Sequence, residues 1–515
     1  MNPFINEPLT DFSKSNNKKK FEEALSSVKS KLNSEYDILI KGEHFKTEDK
    51  LRSINPSNKD EIVGIFQKAT PQLANKTIET ANEIFQTWKN VPVQKRANYL
   101  LKAAKLMRRK KFEFAAWMVY EVGKNWIEAD ADVAEAIDFM EFYAREALRY
   151  AKGTKLTKIK GEKNVQEYIP LGVGIVIPPW NFPLAILVGM TTAAIVTGNT
   201  VVLKPSSDSP TIALKFVELM ENIKLPAGVL NFVTGAGSSI GDILVQHPLT
   251  RFVSFTGSKE VGLRINELAA KHQNGQKWIK RVVAEMGGKD SIVVDDELRS
   301  LDDAVNGVIS SAFGFQGQKC SACSRVIVSE KIYDSFLNKL VEKANNIKVS
   351  NTVGNPGMGP VINEKAQNTI LNYIQRGIDE GGRLAYGGHK VDENGYYIQP
   401  TIIADVQPNA TISQEEIFGP VLAVIKATDF EDGLRIANNT EYGLTGSVYS
   451  KNKKKINKAA KEFFVGNLYF NRKCTGAMVG AHPFGGFNMS GTCSKAGGFD
   501  YLLLFQQTKI VSEKI

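Results

Sequence analysis

Short, continuous apolar runs alternate with longer helical stretches through the middle of this sequence. Residues 171–177, 200–203 and 229–233 are such runs, and each is followed by a turn and a helical stretch. A run that is apolar at every position is typical of a strand covered on both faces. Strands that alternate with helices predict βαβ units and a parallel sheet, so the chain is predicted to be an α/β protein.

A second series of the same kind follows at residues 291–294, 325–328 and 421–425, and residues 77–150 have a helical pattern. At 515 residues the chain is too long for one ordinary hydrophobic core. Two or three domains are therefore expected. The apolar content of 43% and the charged content of 23% are those of a globular protein.

Charge and apolar length argue against two classes of partner. The net charge of +10 is scattered and no nucleic-acid-binding motif accompanies it, so no nucleic-acid partner is expected. The longest apolar run, residues 184–196, contains polar interruptions and is too short to cross a bilayer. It is predicted to be a buried helix, and no membrane partner is expected. Four cysteines without framework spacing, and an N-terminus without the apolar core of a signal peptide, indicate a cytoplasmic protein.

Cys320 lies in a segment, residues 313–324, with the features that a nucleophile requires. A Gly-Gln turn precedes it and small residues follow, so the sulfur is presented with little bulk around it. The thiolate is the reactive form, and a nearby cation or helix N-terminus can favour it. Two other interpretations stay open: a buried cysteine that acts as a small apolar side chain, and a C-x-x-C half-site with Cys323. Because neither a second C-x-x-C nor a histidine pair is near, no metal is expected.

Three further segments fit the same chemistry as Cys320. They are residues 177–183, 285–289 and 415–420, with the sequences IPPWNFP, EMGGK and EEIFGP. In this order and spacing, the four segments resemble the aldehyde dehydrogenase superfamily. Residues 318–324 and 471–477 are most similar to the members that oxidise L-glutamate γ-semialdehyde, the open form of 1-pyrroline-5-carboxylate. The activity that this resemblance implies is oxidation to L-glutamate with NAD(P), in proline and arginine degradation.

The resemblance covers the chain from about residue 36 to its C-terminus and implies a fold of three parts. They are a Rossmann-type parallel-sheet cofactor domain, an α/β catalytic domain, and a β-flap whose unpaired edges would seek a partner strand, so a homo-oligomer is expected. The implied boundaries are residues 36–151 and 171–289 for the NAD(P)-binding domain, 290–480 for the catalytic domain, 152–170 and 481–515 for the oligomerisation flap and tail, and 1–35 for an N-terminal extension.

The resemblance assigns Cys320 as the nucleophile and implies catalytic roles for two other residues. Asn181 would stabilise an oxyanion together with the backbone N–H of Cys320, because an amide side chain can donate a hydrogen bond without a change of charge. Glu285, which stands next to two glycines, would act as a general base on water. From the residues alone, a turn asparagine and a surface glutamate remain the alternatives.

Two turns are candidates for holding a dinucleotide. Residues 235–241 have the spacing G-x-G-x-x-x-G after a predicted strand, and residues 256–258 would begin a helix whose free N–H groups can hold a phosphate. An ordinary glycine-rich turn is the alternative for the first. The resemblance implies the following cofactor-binding residues: Ile177, Pro178, Pro179, Trp180, Lys204, Ser207, Gly237, Gly241, Phe255, Gly257, Ser258, Val261, Met286, Gly287, Glu416 and Phe418.

The chain departs from the common family pattern at Ser207. Many family members place a glutamate here to bind the ribose hydroxyls, whereas this chain has a short neutral side chain. A negative charge is thereby missing from the position where a 2′-phosphate would lie. NAD is expected as the cofactor, with NADP also accepted.

A glutamate semialdehyde carries an α-carboxylate and an α-ammonium at the end far from the aldehyde. The backbone N–H groups of Gly476 and Ala477 could bind the carboxylate as an anion nest does, although an ordinary glycine turn is the alternative. The hydroxyl of Ser321 and the charge of Lys319 are close in sequence to the nucleophile. The expected substrate-binding residues are Glu135, Phe182, Lys319, Ser321, Gly476, Ala477 and Phe484.

Two other functions stay open at this point. The first is oxidation of a different substrate, such as another semialdehyde or an aliphatic aldehyde, by the same residues. The second is a non-catalytic structural protein on the same fold. The presence of Cys320, Asn181 and Glu285 together argues against the second.

Overall fold

The computed structural model describes residues 3–392 and 394–515. Its α-helices are α1 Ser15–Lys29, α2 Pro71–Trp88, α3 Val93–Arg109, α4 Lys111–Val122, α5 Trp126–Tyr150, α6 Ala185–Val196, α7 Pro210–Asn222, α8 Asp242–Gln246, α9 Lys259–Ala270, α10 Leu301–Phe313, α11 Tyr333–Asn345, α12 Glu364–Asp379, α13 Thr411–Gln414, α14 Phe430–Asn438 and α15 Lys453–Glu462. A short π-helical turn lies at Gly237–Gly241, and 3₁₀ turns lie at Gly314–Gly317, Glu330–Ile332, Thr352–Gly354 and Tyr501–Phe505.

The strands run from the N-terminal region to the C-terminus. They are β1 Ser34–Tyr36, β2 Ile38–Ile40, β3 Glu43–Phe45, β4 Lys50–Asn55, β5 Asn58–Gln67, β6 Glu162–Pro170, β7 Val173–Ile177, β8 Thr200–Leu203, β9 Leu230–Phe232, β10 Thr250–Thr256, β11 Arg281–Glu285, β12 Ser291–Val294, β13 Arg325–Ser329, β14 Arg383–Tyr386, β15 Thr401–Ala404, β16 Val421–Ala427, β17 Tyr442–Gly443, β18 Thr445–Tyr449, β19 Asn467–Phe470, β20 Phe487–Asn488 and β21 Gln506–Lys514.

The first large sheet has the strand order β11-β10-β7-β8-β9-β2-β3. Strands β11, β10, β7, β8 and β9 are parallel, whereas β2 and β3 add as antiparallel strands at one edge. Strand β7 lies between β8 and β10, so the direction in which the chain adds strands reverses beside β7. Ligands of α/β proteins bind outside the carboxyl ends of the strands at such a point.

The second large sheet has the order β14-β15-β16-β13-β12-β18-β19 and is parallel except where β14 meets β15. The chain passes from the first sheet to the second between Glu285, the last residue of β11, and Ser291, the first of β12. Cys320 stands shortly before β13, and Glu416 stands shortly before β16. The amino-terminal edge of the second sheet therefore meets the carboxyl-terminal edge of the first.

The α/β prediction is confirmed. The apolar runs at residues 171–177 and 291–294 contain β7 and β12, and the run at residues 184–196 forms α6, which is buried except for Ile186. Among the described residues, none of the helices is both long and apolar enough to span a membrane.

Two terminal features complete the fold. Strands β6 and β21 form an antiparallel ribbon, with Gln506 opposite Pro170 and Lys514 opposite Glu162, so β21 is the part of the predicted flap and tail that pairs with β6. Helix α1 lies in the N-terminal segment to which the sequence assigns no role, and it packs against α4. It buries apolar side chains, Phe21 among them, in the core that also contains α4.

Candidate active site

Cys320 follows a left-handed turn that connects α10 to β13. Phe315 and Gln316 have φ of 50° and 58°, and Gly317 follows at 67°. The side-chain nitrogen of Gln316 donates to two backbone carbonyls, at 3.1 and 2.7 Å, which holds the strained backbone in place. A Cβ on Gly317 would lie 2.3 Å from the carbonyl oxygen of Gly419, so glycine is required.

Asn181 lies beside this loop, after β7. Its Nδ2 donates to the carbonyl oxygen of Gln318 at 3.0 Å, and its Oδ1 accepts from the backbone N–H of Phe182 at 3.1 Å. Gln318 is itself fixed, because its Oε1 accepts from the backbone N–H of Ile362 at 2.9 Å. An amide nitrogen carries two hydrogens, so one N–H of Asn181 remains for an acceptor in the cavity that Asn181 and Cys320 both line.

The ionisable groups nearest Cys320 are acidic. Burial, together with the nearby carboxylates of Asp290, Glu416 and Glu285, raises the pKa of the Cys320 thiol well above its usual range. The thiol is therefore neutral in this state, and a cation must enter the site, or a base must act, before the thiolate forms.

Glu285 ends strand β11 and is buried. Its Oε2 accepts from the backbone N–H of Gly486 at 3.0 Å, and its Oε1 accepts from the backbone N–H and the hydroxyl of Ser494 at 3.0 and 2.7 Å. Burial raises the pKa of Glu285 to about 7, against the lowering effect of these hydrogen bonds. A carboxylate with a pKa near neutrality is suited to accept a proton from water.

A cavity of about 810 Å³ opens between the facing edges of the two sheets. Cys320 and Asn181 line this cavity together with the turns after β7, β8, β9 and β10, the start of α12 and residues 416–418. All the predicted cofactor residues border this one cavity: Ile177, Pro178, Pro179, Trp180, Lys204, Ser207, Gly237, Gly241, Phe255, Gly257, Ser258, Val261, Met286, Gly287, Glu416 and Phe418.

Two ionisable groups of this cavity have few protein partners. Lys204 is buried, its ammonium meets the carbonyl of Pro205 at 3.3 Å, and burial lowers its pKa to about 8. Glu416 accepts from the backbone N–H of Gly288 at 3.0 Å, and burial raises its pKa to about 7. A Cβ on Gly287 would lie 2.0 Å from Glu416 Oε2, so the backbone approaches this carboxylate closely. One donor and one acceptor at separate places suit the two ribose hydroxyl pairs of a dinucleotide.

The turns that were predicted to hold a phosphate also border this cavity. Ser258 caps helix α9 by accepting from the backbone N–H of Val261, and this helix N-terminus opens on the cavity. A Cβ on Gly237 or Gly241 would meet no atom within 4 Å, so the backbone of this turn is open to a ligand. Arg264 and Lys365, which no sequence pattern marks, also border the cavity and supply positive charge.

A smaller cavity of about 120 Å³ begins on the other side of Cys320 and contains Glu285. Most of the residues that were predicted to bind substrate line this cavity: Glu135, Phe182, Ser321, Gly476, Ala477 and Phe484. Lys319 lies elsewhere. Its ammonium pairs with Glu128 at 2.7 Å, and its side chain borders a separate small cavity under the nucleophile loop. The charge of Lys319 is thus neutralised outside the smaller cavity.

A buried ion pair supports one wall of the smaller cavity. Lys124 and Asp132 are fully buried and 2.8 Å apart. The ammonium of Lys124 also lies 4.2 Å from the ring centre of Phe182, a cation–π contact that fixes the ring. Glu135, one turn beyond Asp132 on α5, has its pKa raised to about 8 by burial and by the charge of Asp132.

Comparison with known proteins agrees with this geometry. The sequence profile of the aldehyde dehydrogenase family matches residues 44–511. The chain belongs to the aldehyde dehydrogenase family. It is 57% identical, over 99% of both chains, to a 1-pyrroline-5-carboxylate dehydrogenase of Anoxybacillus flavithermus, and 56% identical, again over 99% of both, to one of Geobacillus thermodenitrificans. A Thermus 1-pyrroline-5-carboxylate dehydrogenase with bound NAD superimposes with a TM-score of 0.98 at 47% identity, over 100% of both chains.

Several residues of this aldehyde dehydrogenase site were missed by the sequence reasoning. Ser494 and Tyr501 line the smaller cavity although they come from the C-terminal segment, and Ser254 lines it from β10. No local pattern marks these residues. Ser494 is a serine in an irregular segment, and Ser254 is a small polar residue between apolar neighbours in a strand.

Proposed function

We propose that this aldehyde dehydrogenase oxidises L-glutamate γ-semialdehyde, the open form of 1-pyrroline-5-carboxylate, to L-glutamate in proline and arginine degradation. The observation that carries the proposal is the small cavity that joins Cys320 and Glu285 to Ser321, Gly476 and Ala477. One compartment that contains both the proposed reactive residues and the proposed anion-binding turn supports this substrate. The names of the similar proteins support the same substrate.

The reaction begins when the Cys320 thiol loses its proton to water and the thiolate sulfur attacks the aldehyde carbon. The carbonyl oxygen becomes an oxyanion, which receives hydrogen bonds from the free N–H of Asn181 and from the backbone N–H of Cys320. Because Gln318 holds Asn181 in place, these donors need no rearrangement when the charge develops. NAD(P), when bound in the cavity that Cys320 also lines, supplies a hydride acceptor whose oxidised ring is positively charged.

Glu285 completes the reaction. Once the substrate carbon is oxidised, its acyl group is joined to Cys320 as a thioester. Glu285 takes a proton from a water molecule, the water oxygen attacks the thioester carbon, and the carbon–sulfur bond breaks. Glu285 and Cys320 line the same small cavity, so the water can lie between them.

The far end of the substrate is recognised by charge and by size. Arg472 donates to the carbonyl oxygens of Thr475 and Gly476, at 2.9 and 3.2 Å, which fixes the turn that carries Gly476 and Ala477. The α-carboxylate binds the backbone N–H groups of this turn. The α-ammonium pairs with Glu135, whose raised pKa falls when a cation arrives.

Loss of the contacts to the substrate α-carboxylate should lower activity on glutamate semialdehyde more than activity on propionaldehyde. In Ser321→Ala and Gly476→Val, kcat/KM for glutamate semialdehyde should fall about ten- to a hundredfold, since a charge-assisted hydrogen bond contributes roughly 1.5–3 kcal/mol. Activity on propionaldehyde, which has no carboxylate, should change much less. Steady-state kinetics on both aldehydes measure the ratio.

A matched control is Ser324→Ala, a serine of the same loop that lines the separate cavity under the nucleophile. It should leave the ratio between the two substrates unchanged. Equal losses on both substrates in Ser321→Ala, or a wild type that prefers propionaldehyde, would leave only a general aldehyde dehydrogenase.

The cofactor cavity should accept NADP as well as NAD. Ser207 borders the cavity where a carboxylate would repel a 2′-phosphate, and Lys204 lies in the same part of it. Ser207→Glu should raise KM for NADP at least about tenfold, because it introduces a like charge, and should change KM for NAD little. Initial rates with each cofactor test this, and equal effects would show that residue 207 does not contact the phosphate region.

A homo-oligomer formed through the ribbon of β6 and β21 is part of the proposal. Each strand of the ribbon has one unpaired edge. The ribbon also carries the exposed apolar side chains Val165, Ile510 and Val511. Apolar side chains on an open two-stranded ribbon favour pairing with another copy. A reducing cytoplasm suits an enzyme whose four cysteines are free and whose nucleophile is a thiol.

A further inference from the structure

The carboxylate of Glu285 is held by donors from one distant segment, residues 485–494. Backbone N–H groups of Gly486 and Ser494 and the hydroxyl of Ser494 surround it at 3.0, 3.0 and 2.7 Å. A Cβ on Gly485 would lie 3.0 Å from Oε1, and one on Gly491 would lie 3.0 Å from Oε2. The carboxylate of Glu285 thus fits closely between two glycines of this segment. We call residues 485–494 the carboxylate cradle.

The cradle is anchored on both sides of Glu285. The backbone N–H of Met286 donates to the carbonyl of Ser490 at 2.7 Å, and that of Thr492 donates to the carbonyl of Ala284 at 2.9 Å. Next to Ser494, the ammonium of Lys495 donates to two backbone carbonyls at 2.6 and 2.9 Å. The position of Ser494 relative to Glu285 is therefore set by the backbone of β11 itself.

Among the three donors, the hydroxyl of Ser494 is the one that belongs to a side chain, and it makes the shortest bond. A donor to a carboxylate stabilises its charged form, whereas burial stabilises its neutral form. Both effects act on the carboxyl group of Glu285, and the Ser494 hydroxyl is buried beside it. One side chain thus opposes the effect of burial on the residue that must take a proton from water.

We propose that Ser494 is a positioning residue that keeps the Glu285 carboxylate ionised and directed toward the thioester during hydrolysis. The inference rests on the proposed role of Glu285 as general base. In that step the water proton moves to Glu285, the water oxygen bonds to the acyl carbon, and Cys320 leaves as the thiolate. Ser494 keeps its own proton and donates a hydrogen bond to Oε1 until Oε2 receives the water proton.

The test measures thioester hydrolysis directly over a range of pH. Enzyme with NAD is mixed with radiolabelled glutamate semialdehyde in less than the enzyme's concentration, samples are quenched in acid, and protein-bound label is followed from about pH 5.5 to 9.5. On the acid side of the profile the hydrolysis rate falls as Glu285 is protonated, and we call this part the acid limb. In Ser494→Ala, the pH at the midpoint of the acid limb should rise by about one unit, because the carboxylate of Glu285 loses a hydrogen-bond donor. Ser494→Thr should restore the wild-type midpoint, and Ser494→Cys, a weaker donor, should lie between them.

Ser450→Ala is the matched control. Ser450 is a buried serine whose hydroxyl also donates to a carboxylate at 2.7 Å, but to that of Asp295 rather than that of Glu285. The acid limb of its pH profile should coincide with that of the wild type. A Ser494→Ala enzyme that hydrolyses more slowly at every pH with an unmoved midpoint overturns the inference, as does an equal shift in Ser450→Ala.

Failure of the proposed function has a different signature. If the wild type accumulates no labelled thioester from glutamate semialdehyde but does so from propionaldehyde, the substrate assignment is wrong. The same pH series with labelled propionaldehyde then still decides the role of Ser494, because hydrolysis of either thioester requires the same base.

Discussion

Replacing Cys320 with serine is expected to lower turnover on any aldehyde by several orders of magnitude. A hydroxyl at this position is far less acidic than a thiol, and burial beside three carboxylates already raises the pKa of the thiol. The fold and NAD affinity should stay close to those of the wild type, because the turn before Cys320 is held by Gln316 and Gly317 and not by the sulfur. Steady-state NADH formation, NAD titration and thermal unfolding measure the three quantities.

Cys493→Ser is the matched control for this experiment. Cys493 is an exposed free cysteine, so its replacement should leave turnover near the wild-type value. If Cys320→Ser keeps more than about a tenth of wild-type turnover, the nucleophile is another residue.

Replacing Glu285 with glutamine should separate the two halves of the reaction. We expect a single-turnover burst of NADH, followed by steady-state turnover that is lower by about a hundredfold or more, since loss of a general base costs about 10²–10⁴ in rate. Stopped-flow absorbance resolves the two phases. The amplitude of the burst is the internal control, because it counts the sites that still form the thioester.

The pH dependence of thioester hydrolysis provides a second test of the role of Glu285. The pKa of Glu285 is raised to about 7, so the basic form grows as pH rises through about 7. Thioester hydrolysis in the wild type should therefore increase across this range, and the increase should be absent in Glu285→Gln. If the burst disappears together with the turnover, Glu285 acts before hydrolysis and is not mainly the base of the second half.

Much of the architecture could be predicted because it depends on local patterns. A strand buried on both faces is apolar along most of its length, as residues 291–294 are. This pattern can be recognised from four consecutive residues of the sequence. The buried helix α6 is predictable for the same reason. The candidate nucleophile is also local, since the Gly-Gln turn and the small residues after Cys320 are neighbours in sequence.

The surroundings of these residues could not be predicted, because they come from remote parts of the chain. Ser494 bonds Glu285 from 209 residues away, and Lys124 supports Phe182 from the turn between α4 and α5. Lys319 illustrates the limit most clearly. Its position next to Cys320 suggests a charge in the substrate cavity, but the turn directs its side chain to Glu128.

By itself, the sequence determined the α/β class, the two series of strands and the segments that carry the chemistry. The class and the strands follow from periodicity, which acts over a few residues, and the segments predicted to carry the chemistry follow from their resemblance to the aldehyde dehydrogenase family. Only the tertiary structure decided how readily the groups ionise: Cys320 is surrounded by carboxylates, and Glu285 is buried with three hydrogen-bond donors. The physical reason is that desolvation and charge proximity depend on distances in space, and those are set by where the edges of the two sheets meet.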